Sequence, residues 1–213
     1  MTIAVIDYGM GNLHSVAKAL EHVTHEHVVI TRDARSIRGA TRIVLPGQGA
    51  MRDCMGELQR TELQGLVQEM LADQAKPLLG ICVGQQMLMD ASEENGGIEC
   101  LRFLPGRVRH FSQAMHDAEG RRLKVPHMGW NQVVQRHAHP LWDGIADETR
   151  FYFVHGYYVE AERDADVFGT TRYGDVTAHV ATGRDTVFAV QFHPEKSASA
   201  GLRLLENFVN WAP

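Results

Sequence analysis

This sequence predicts an α/β fold: a central, mostly parallel sheet flanked by helices, with antiparallel β additions in the second half. Three observations carry that reading. In the first half, short apolar runs alternate with stretches whose apolar residues recur at helical spacing. Such alternation implies parallel strands joined by right-handed crossovers. From Gly106 to Gln191 the runs become short and β-rich, with Gly, Asp and Pro between them, as in hairpins. An amphipathic stretch closes the chain.

The elements follow in order. Ile3–Asp7 reads as a buried strand running into the Gly-rich turn Tyr8-Gly9-Met10-Gly11-Asn12. Leu13, Val16, Ala17, Leu20 and Val23 then recur at helical spacing. His27–Ile30 is a short strand, and Arg42–Leu45 another, stopped by Pro46-Gly47. Leu58, Leu63, Leu66, Val67, Met70 and Leu71 predict a helix up to about Ala75. Pro77–Ile81 is a strand, and Gln85–Ser92 reads as helical. Phe151–Val154, Val167–Tyr173, Asp175–Thr182 and Thr186–Phe192 are the expected antiparallel strands. Leu202, Leu205 and Val209 make the stripe of the last helix, with Ser199 as the expected N-cap.

The chain has 213 residues, with no repeat, low-complexity tract or Pro/Ser-rich linker, so one domain over residues 1–213 is expected. Net charge is 21 − 26 = −5, which argues against nucleic acid as the main ligand and offers no basic face to a membrane. No apolar run approaches a bilayer span, and the N-terminus enters a strand-like run directly, without a signal-peptide pattern. The three cysteines, Cys54, Cys82 and Cys100, form neither a disulfide framework nor a zinc pattern. A reducing cytoplasm with free thiols is the expectation.

Chemistry concentrates in a few places. In Gly80-Ile81-Cys82-Val83-Gly84-Gln85-Gln86 an apolar strand meets glycine, cysteine, glycine and then a helical pattern. That is the strand–turn–helix geometry of a nucleophile elbow, with cysteine where hydrolases place serine. A helix starting behind the thiol would activate it and supply backbone N–H groups to an oxyanion. In Gln191-Phe192-His193-Pro194-Glu195 a histidine ends a strand and a carboxylate follows two positions on. A cysteine nucleophile needs such a base, and the base needs an orienting partner. Both pieces sit at strand ends, where open α/β sheets form their ligand crevice. Pro46-Gly47-Gln48-Gly49 follows another strand and allows close backbone approach to a ligand, as an oxyanion site requires. Pro126-His127-Met128-Gly129-Trp130-Asn131 holds residue types found at interfaces, although composition alone favours a core tryptophan. His110, His116, His127, His137 and His139 are scattered among loops and strands and make no convincing metal site; His137-x-His139 reads as solvated loop histidines rather than metal ligands. Tyr8–Asn12 lacks a full GxGxxG, and there is no Walker lysine, which disfavours nucleotide binding.

GICVGQQ, PGQG and FHPEKS together resemble the class I (triad) glutamine amidotransferases. IDYGMGN and PHMGWN narrow the resemblance to the glutaminase subunits of imidazole glycerol phosphate synthases, from Ile3 to the last helix. The resemblance implies the flavodoxin-like fold of that class, glutamine as substrate, and no cofactor or metal. It implies Cys82 as nucleophile, His193 as general acid/base and Glu195 as its orienting partner. The N–H groups of Val83 and Gly49 (or Gln48 after a peptide flip) would form the oxyanion hole, and Gln86 would hold glutamine. Asn12, Met128, Trp130 and Asn131 would face a (β/α)8-barrel synthase subunit in a heterodimer. Ammonia would pass to that subunit to form imidazole glycerol phosphate and AICAR for histidine biosynthesis, with a triad glutaminase serving another synthase as the alternative. The chain departs from the subfamily at Gln48, usually apolar, and at Gly156, usually Ser or Thr.

Overall fold

The computed structural model describes residues 1–117 and 119–213. In chain order the elements are β1 (Thr2–Ile6), α1 (Leu13–Val23), β2 (His27–Thr31), α2 (Ala34–Gly39), β3 (Arg42–Gly47), α3 (Met51–Arg60), α4 (Leu63–Asp73), β4 (Leu78–Cys82) and α5 (Val83–Gln86). There follow β5 (Ala91–Ser92), β6 (Ile98–Glu99), β7 (Gly106–His110), β8 (His127–Gln132), β9 (Val134–Gln135), β10 (Arg150–His155), β11 (Tyr157–Ala161), β12 (Val167–Tyr173), β13 (Val176–Arg184), β14 (Val187–Val190) and α6 (Ala198–Asn210).

The main sheet runs β2-β1-β3-β4-β14-β13-β11-β7-β5-β6, with β12 beside β13 and β9 beside β12. From β2 to β14 every pairing is parallel, and at β13 the sheet turns antiparallel. The central parallel strands have apolar middles because helices cover both faces: Ile3–Ile6, Ile43–Leu45 and Phe188–Val190 are all wholly buried, whereas the edge strand β2 is only partly covered. β8 and β10 form a separate antiparallel ribbon. Among the described residues no helix is long and apolar enough to cross a membrane.

Four local expectations change. β3 continues through Pro46 to Gly47, pairing Pro46 with Ile81 and Gly47 with Cys82. Pairing with β1 ends at Val44, so Pro46 stands where the sheet asks for no further N–H on that side. The helix expected up to about Ala75 is two helices, broken at Thr61-Glu62, where Glu62 takes φ 60° and the Thr61 hydroxyl donates to the Glu57 carbonyl at 2.7 Å. The helix expected over Gln85–Ser92 shrinks to Val83–Gln86. The carbonyls of Met87, Leu88 and Met89 accept instead from Leu101, Leu104 and Arg102, and Ala91–Ser92 becomes a strand. The last helix starts at Ala198 after Ser197, and no side chain caps it; Ser199 lies exposed in its first turn.

Candidate active site

Cys82 is the last residue of β4 and sits at φ 57°, ψ −111°. A residue with a Cβ reaches that region only when its surroundings hold it there. The surroundings are visible at the neighbouring glycines. A Cβ on Gly84 would lie 2.0 Å from the Leu45 carbonyl oxygen, and one on Gly47 would lie 2.8 Å from Gly84 N. The ends of β3 and β4 therefore meet backbone to backbone, and the chain can leave β4 only by the sharp turn that Cys82 makes. The thiol thereby lines a cleft of about 290 Å³. Val83, the first residue of α5, has its amide at the open start of that helix, where N–H groups lack intrahelical partners.

His193 follows β14, the strand next to β4, and lines the same cleft. Its ring is fixed from several sides. Nδ1 lies 2.9 Å from Glu195 Oε1, and Glu195's side chain is completely buried. Asn12 Nδ2 donates to the same oxygen at 3.5 Å. The His193 amide donates to the Tyr152 carbonyl at 2.9 Å, while Ser197 Oγ donates to the His193 carbonyl at 2.6 Å and accepts from Tyr152 N. Ser197 thus spends its hydroxyl on the histidine rather than on capping α6. Burial pushes the His193 imidazole down, but Cys82 and Glu195 outweigh it and raise the ring to about 10. Among the described residues His193 Nε2 has no hydrogen-bond partner in the resting site; the Cys82 sulfur faces it without completing a bond. Gln191 Nε2 donates to that sulfur at 3.6 Å from the other side. The arrangement can take a proton from a thiol, hold it on a buried imidazole, and return it to a leaving group.

The class-I glutamine amidotransferase family model matches residues 4–211. The chain belongs to the class-I glutamine amidotransferase family. It is 58% identical over 211 residues to the imidazole glycerol phosphate synthase subunit HisH of Pseudomonas syringae pv. syringae, covering 99% of this chain and 97% of that one. It is 55% identical over 213 residues to the subunit of the same name from Nitrosospira multiformis, covering 99% and 98%. Among solved structures, PurLQS from Thermotoga maritima superposes with a TM-score of 0.73 at 18% identity, over 98% of this chain and 97% of that chain. The glutaminase domain of Trypanosoma brucei CTPS, solved with bound acivicin, gives 0.64 at 17% identity, over 100% and 95%. These two likenesses show the α/β amidotransferase fold.

In this amidotransferase the other expected residues fall into two groups. Gly49, Val83 and Gln86 line the cleft with Cys82 and His193. Gly49 takes φ 99°, and the Gln48 carbonyl accepts from Cys54 Sγ at 3.5 Å, so the trans peptide turns Gly49 N–H away from Cys54. Gln86 Nε2 donates to Gln191 Oε1 at 2.8 Å and to the Tyr157 carbonyl at 3.3 Å. Met128 and Trp130 stand outside the cleft on β8, 63% and 49% exposed, so composition misleads on Trp130. Asn131, half-buried on the same strand, donates to the Arg172 carbonyl at 2.9 Å. Asn12 is drawn to Glu195 and thereby stands beside the histidine.

The sequence reading missed Glu94, Tyr157 and Gln191. Glu94 is, among the described residues, the one acidic side chain lining the cleft, and its Oε2 accepts from Met51 N at 2.7 Å. It sits in a run, Ser92-Glu93-Glu94-Asn95, that carries no motif. Gln191 was visible beside His193 but had no signal pointing it back to Cys82. His139 is not a solvated loop residue. His127 is 4% exposed, and His139 packs against Phe168, Phe188 and Trp211 while accepting from Leu141 N.

Proposed function

We propose that this chain is the glutaminase subunit of an imidazole glycerol phosphate synthase, hydrolysing glutamine through Cys82, His193 and Glu195. The observation that carries the reading is the strained Cys82 elbow facing the Nε2 of a histidine whose Nδ1 is tied to a buried carboxylate. The high identity to HisH subunits, over nearly the whole of both chains, supports the choice of synthase.

In this reading the Cys82 proton passes to His193 Nε2 and the sulfur bonds to the amide carbon of glutamine. The carbonyl electron pair moves to oxygen, which the N–H groups of Val83 and Gly49 (or Gln48 after a flip) stabilise. When the tetrahedral species collapses, the C–N bond breaks and His193 gives its proton to the nitrogen, releasing ammonia. Water then attacks the thioester, losing a proton to His193. The C–S bond breaks, glutamate leaves, and Cys82 regains its proton. Glu195 holds the ring in the tautomer that presents Nε2 to sulfur and offsets the charge of the imidazolium. Gln86 holds glutamine, and Glu94 is placed for its α-ammonium group.

Met128, Trp130, Asn131 and Asn12 form the face for a (β/α)8 synthase subunit, which takes the ammonia. An exposed Trp with a neighbouring Met, on an otherwise polar strand, is the composition of an interface centre. The PGQG segment gates the reaction: a flip there breaks the Cys54–Gln48 bond and reorients the oxyanion donors, so the free subunit is a poor catalyst and the partner activates it.

The test is glutamate release by the chain alone and with a barrel-type synthase subunit carrying its ribulosyl ligand, for wild type and Cys82→Ala. Activity that appears in the complex and vanishes with Cys82→Ala supports the reading. Equal activity with and without the partner removes the gating and favours a glutaminase that serves another synthase. No activity in any state refutes the reading.

A further inference from the structure

A pair of buried histidines that the triad chemistry does not use runs from β8, which carries His127, to the cleft, which His155 lines. His127 Nδ1 is 2.8 Å from His155 Nε2, and His155 Nδ1 is 2.7 Å from the Tyr157 carbonyl. At the other end His127 Nε2 is 3.3 Å from Asn131 Nδ2. The proton positions follow from the end groups. A carbonyl only accepts, so His155 carries its hydrogen on Nδ1 and offers a lone pair at Nε2. His127 must then donate from Nδ1, which leaves its Nε2 to accept from Asn131. One amide hydrogen of Asn131 goes to that nitrogen and the other to the Arg172 carbonyl. Every donor from Asn131 to the Tyr157 carbonyl has one acceptor, and these links share one polarity.

The chain continues inward. The Tyr157 carbonyl that accepts from His155 also accepts from Gln86 Nε2, whose second hydrogen goes to Gln191 Oε1, while Gln191 Nε2 donates to Cys82 Sγ. The His127 ring has no freedom to turn: it stacks between Tyr173 and Phe153, with centroids 4.1 and 5.0 Å away. Burial also holds both rings neutral, pushing His155 down to about 3 and His127 to about 4.

We propose that His127 and His155 are positioning residues for glutamine, tying the partner-facing strand β8 to the Gln86 amide through one hydrogen-bonded chain. This rests on the glutaminase reading and deepens it, because a shift of β8 on docking reaches the substrate-holding amide without passing through the oxyanion segment. Neighbours on a closed polar chain move together, since displacing one link leaves a buried donor or acceptor unpaired.

The test compares His127→Phe with His127→Asn in the assembled two-subunit enzyme, reading kcat and KM for glutamine and the partner's Kd. Phe fills the ring volume and removes both hydrogen bonds; Asn keeps a donor at the Nδ1 position. The expected result for Phe is KM about tenfold higher, the scale of one lost uncharged hydrogen bond, with kcat and Kd within about threefold. His127→Asn should restore KM to within about threefold of wild type, since it keeps the inward link. An unchanged KM in His127→Phe, or equal losses in both variants, overturns the proposal. Should His127→Phe fail to fold, the nitrogen chemical shifts of wild-type imidazoles decide: both rings must be neutral Nδ1–H tautomers at pH 7, and an Nε2–H ring in either position overturns the chain. A wild-type complex that releases no glutamate sinks the glutaminase reading itself, an outcome distinct from an active wild type indifferent to His127.

Discussion

Replacing Glu195 by Gln tests how the carboxylate acts on His193. The swap keeps shape and removes charge from a side chain with no solvent exposure. Two outcomes differ by orders of magnitude. If the Gln nitrogen turned toward Nδ1, the imidazole would carry its hydrogen on Nε2 and could take no proton from Cys82; a wrong tautomer of this kind costs a serine protease roughly 10⁴-fold. The structure selects the other rotamer. Asn12 Nδ2 donates to Oε1 at 3.5 Å, the oxygen that also faces Nδ1, while Oε2 has no partner among the described residues. A Gln oxygen at the Oε1 position satisfies both donors. The loss is then the difference between a charge-assisted and a neutral hydrogen bond, about 1–2 kcal/mol, or roughly 5- to 30-fold in kcat/KM. Glutamate formation by the assembled enzyme reads this directly. Adding Asn12→Ala removes the donor that holds the rotamer, so the double variant should lose more than the product of the two single losses. Activity of Glu195→Gln within twofold of wild type would refute the orienting role. A loss near 10⁴ in the single variant would refute the rotamer argument.

Gly84→Ala should fail to give soluble, folded protein, because its Cβ would sit 2.0 Å from the Leu45 oxygen; a wild-type urea midpoint would show that the elbow relaxes freely. A thiol alkylating reagent at pH 7.5 should label Cys82 first, since burial raises Cys54 to about 11 and Cys100 to about 12; peptide mapping reads the order. Stability should fall as pH drops from about 6.5 toward 4, because unfolded chains bind protons in that window while His127, His139 and His155 do not; the loss is on the order of 3 kcal/mol for His127 alone and is read from urea midpoints at pH 7.5 and 4. Trp130→Ala should weaken the partner by about 2 kcal/mol or more with no loss of urea stability, since its ring is half exposed in the free subunit.

The proposed triad was legible as a candidate because each member carries its own local signal. Cys82 lies between glycines at a strand end, and His193 and Glu195 share one short turn after a strand. Periodicity also located β1, α1, β4, β12 and α6 closely, since each buries one face or both against the sheet. What escaped is what depends on contacts between distant segments. The helix after Cys82 stops at Gln86 because Leu101–Leu104 folds back to occupy the next carbonyls, and no residue within Gln85–Ser92 announces that. Glu94 enters the cleft by the same fold-back. Ser197 reads as an unremarkable serine until Tyr152 arrives on its hydroxyl. Composition put Trp130 in the core and was wrong, because exposure is set by which face of the β8–β10 ribbon meets Phe111 and Tyr173 rather than by its own neighbours.

The ribbon also separates the proposed partner surface from the proposed nucleophile. Cys82 and His193 end adjacent parallel strands, so the main sheet fixes their separation. β8 and β10 lie outside that sheet but are joined to it and to the turn after β14: His193 N donates to the Tyr152 carbonyl, Tyr152 N to Ser197 Oγ, Asn131 to the Arg172 carbonyl and Thr171 Oγ1 to the Gln132 carbonyl, the His127–His155 chain reaches Tyr157, and Phe151 and Phe153 pack on Phe192. Tyr152 pairs directly with Trp130 across the ribbon, so the exposed tryptophan is one strand from the backbone of the base. β8 and β10 pair with each other rather than with the main sheet, so they lack the ladder hydrogen bonds that fix a central parallel strand on both sides. In the proposed reading, docking on β8 reaches His193 and the Gln86 amide through these bonds, while Cys82, at the end of β4 beside Gly47, stays where the core puts it.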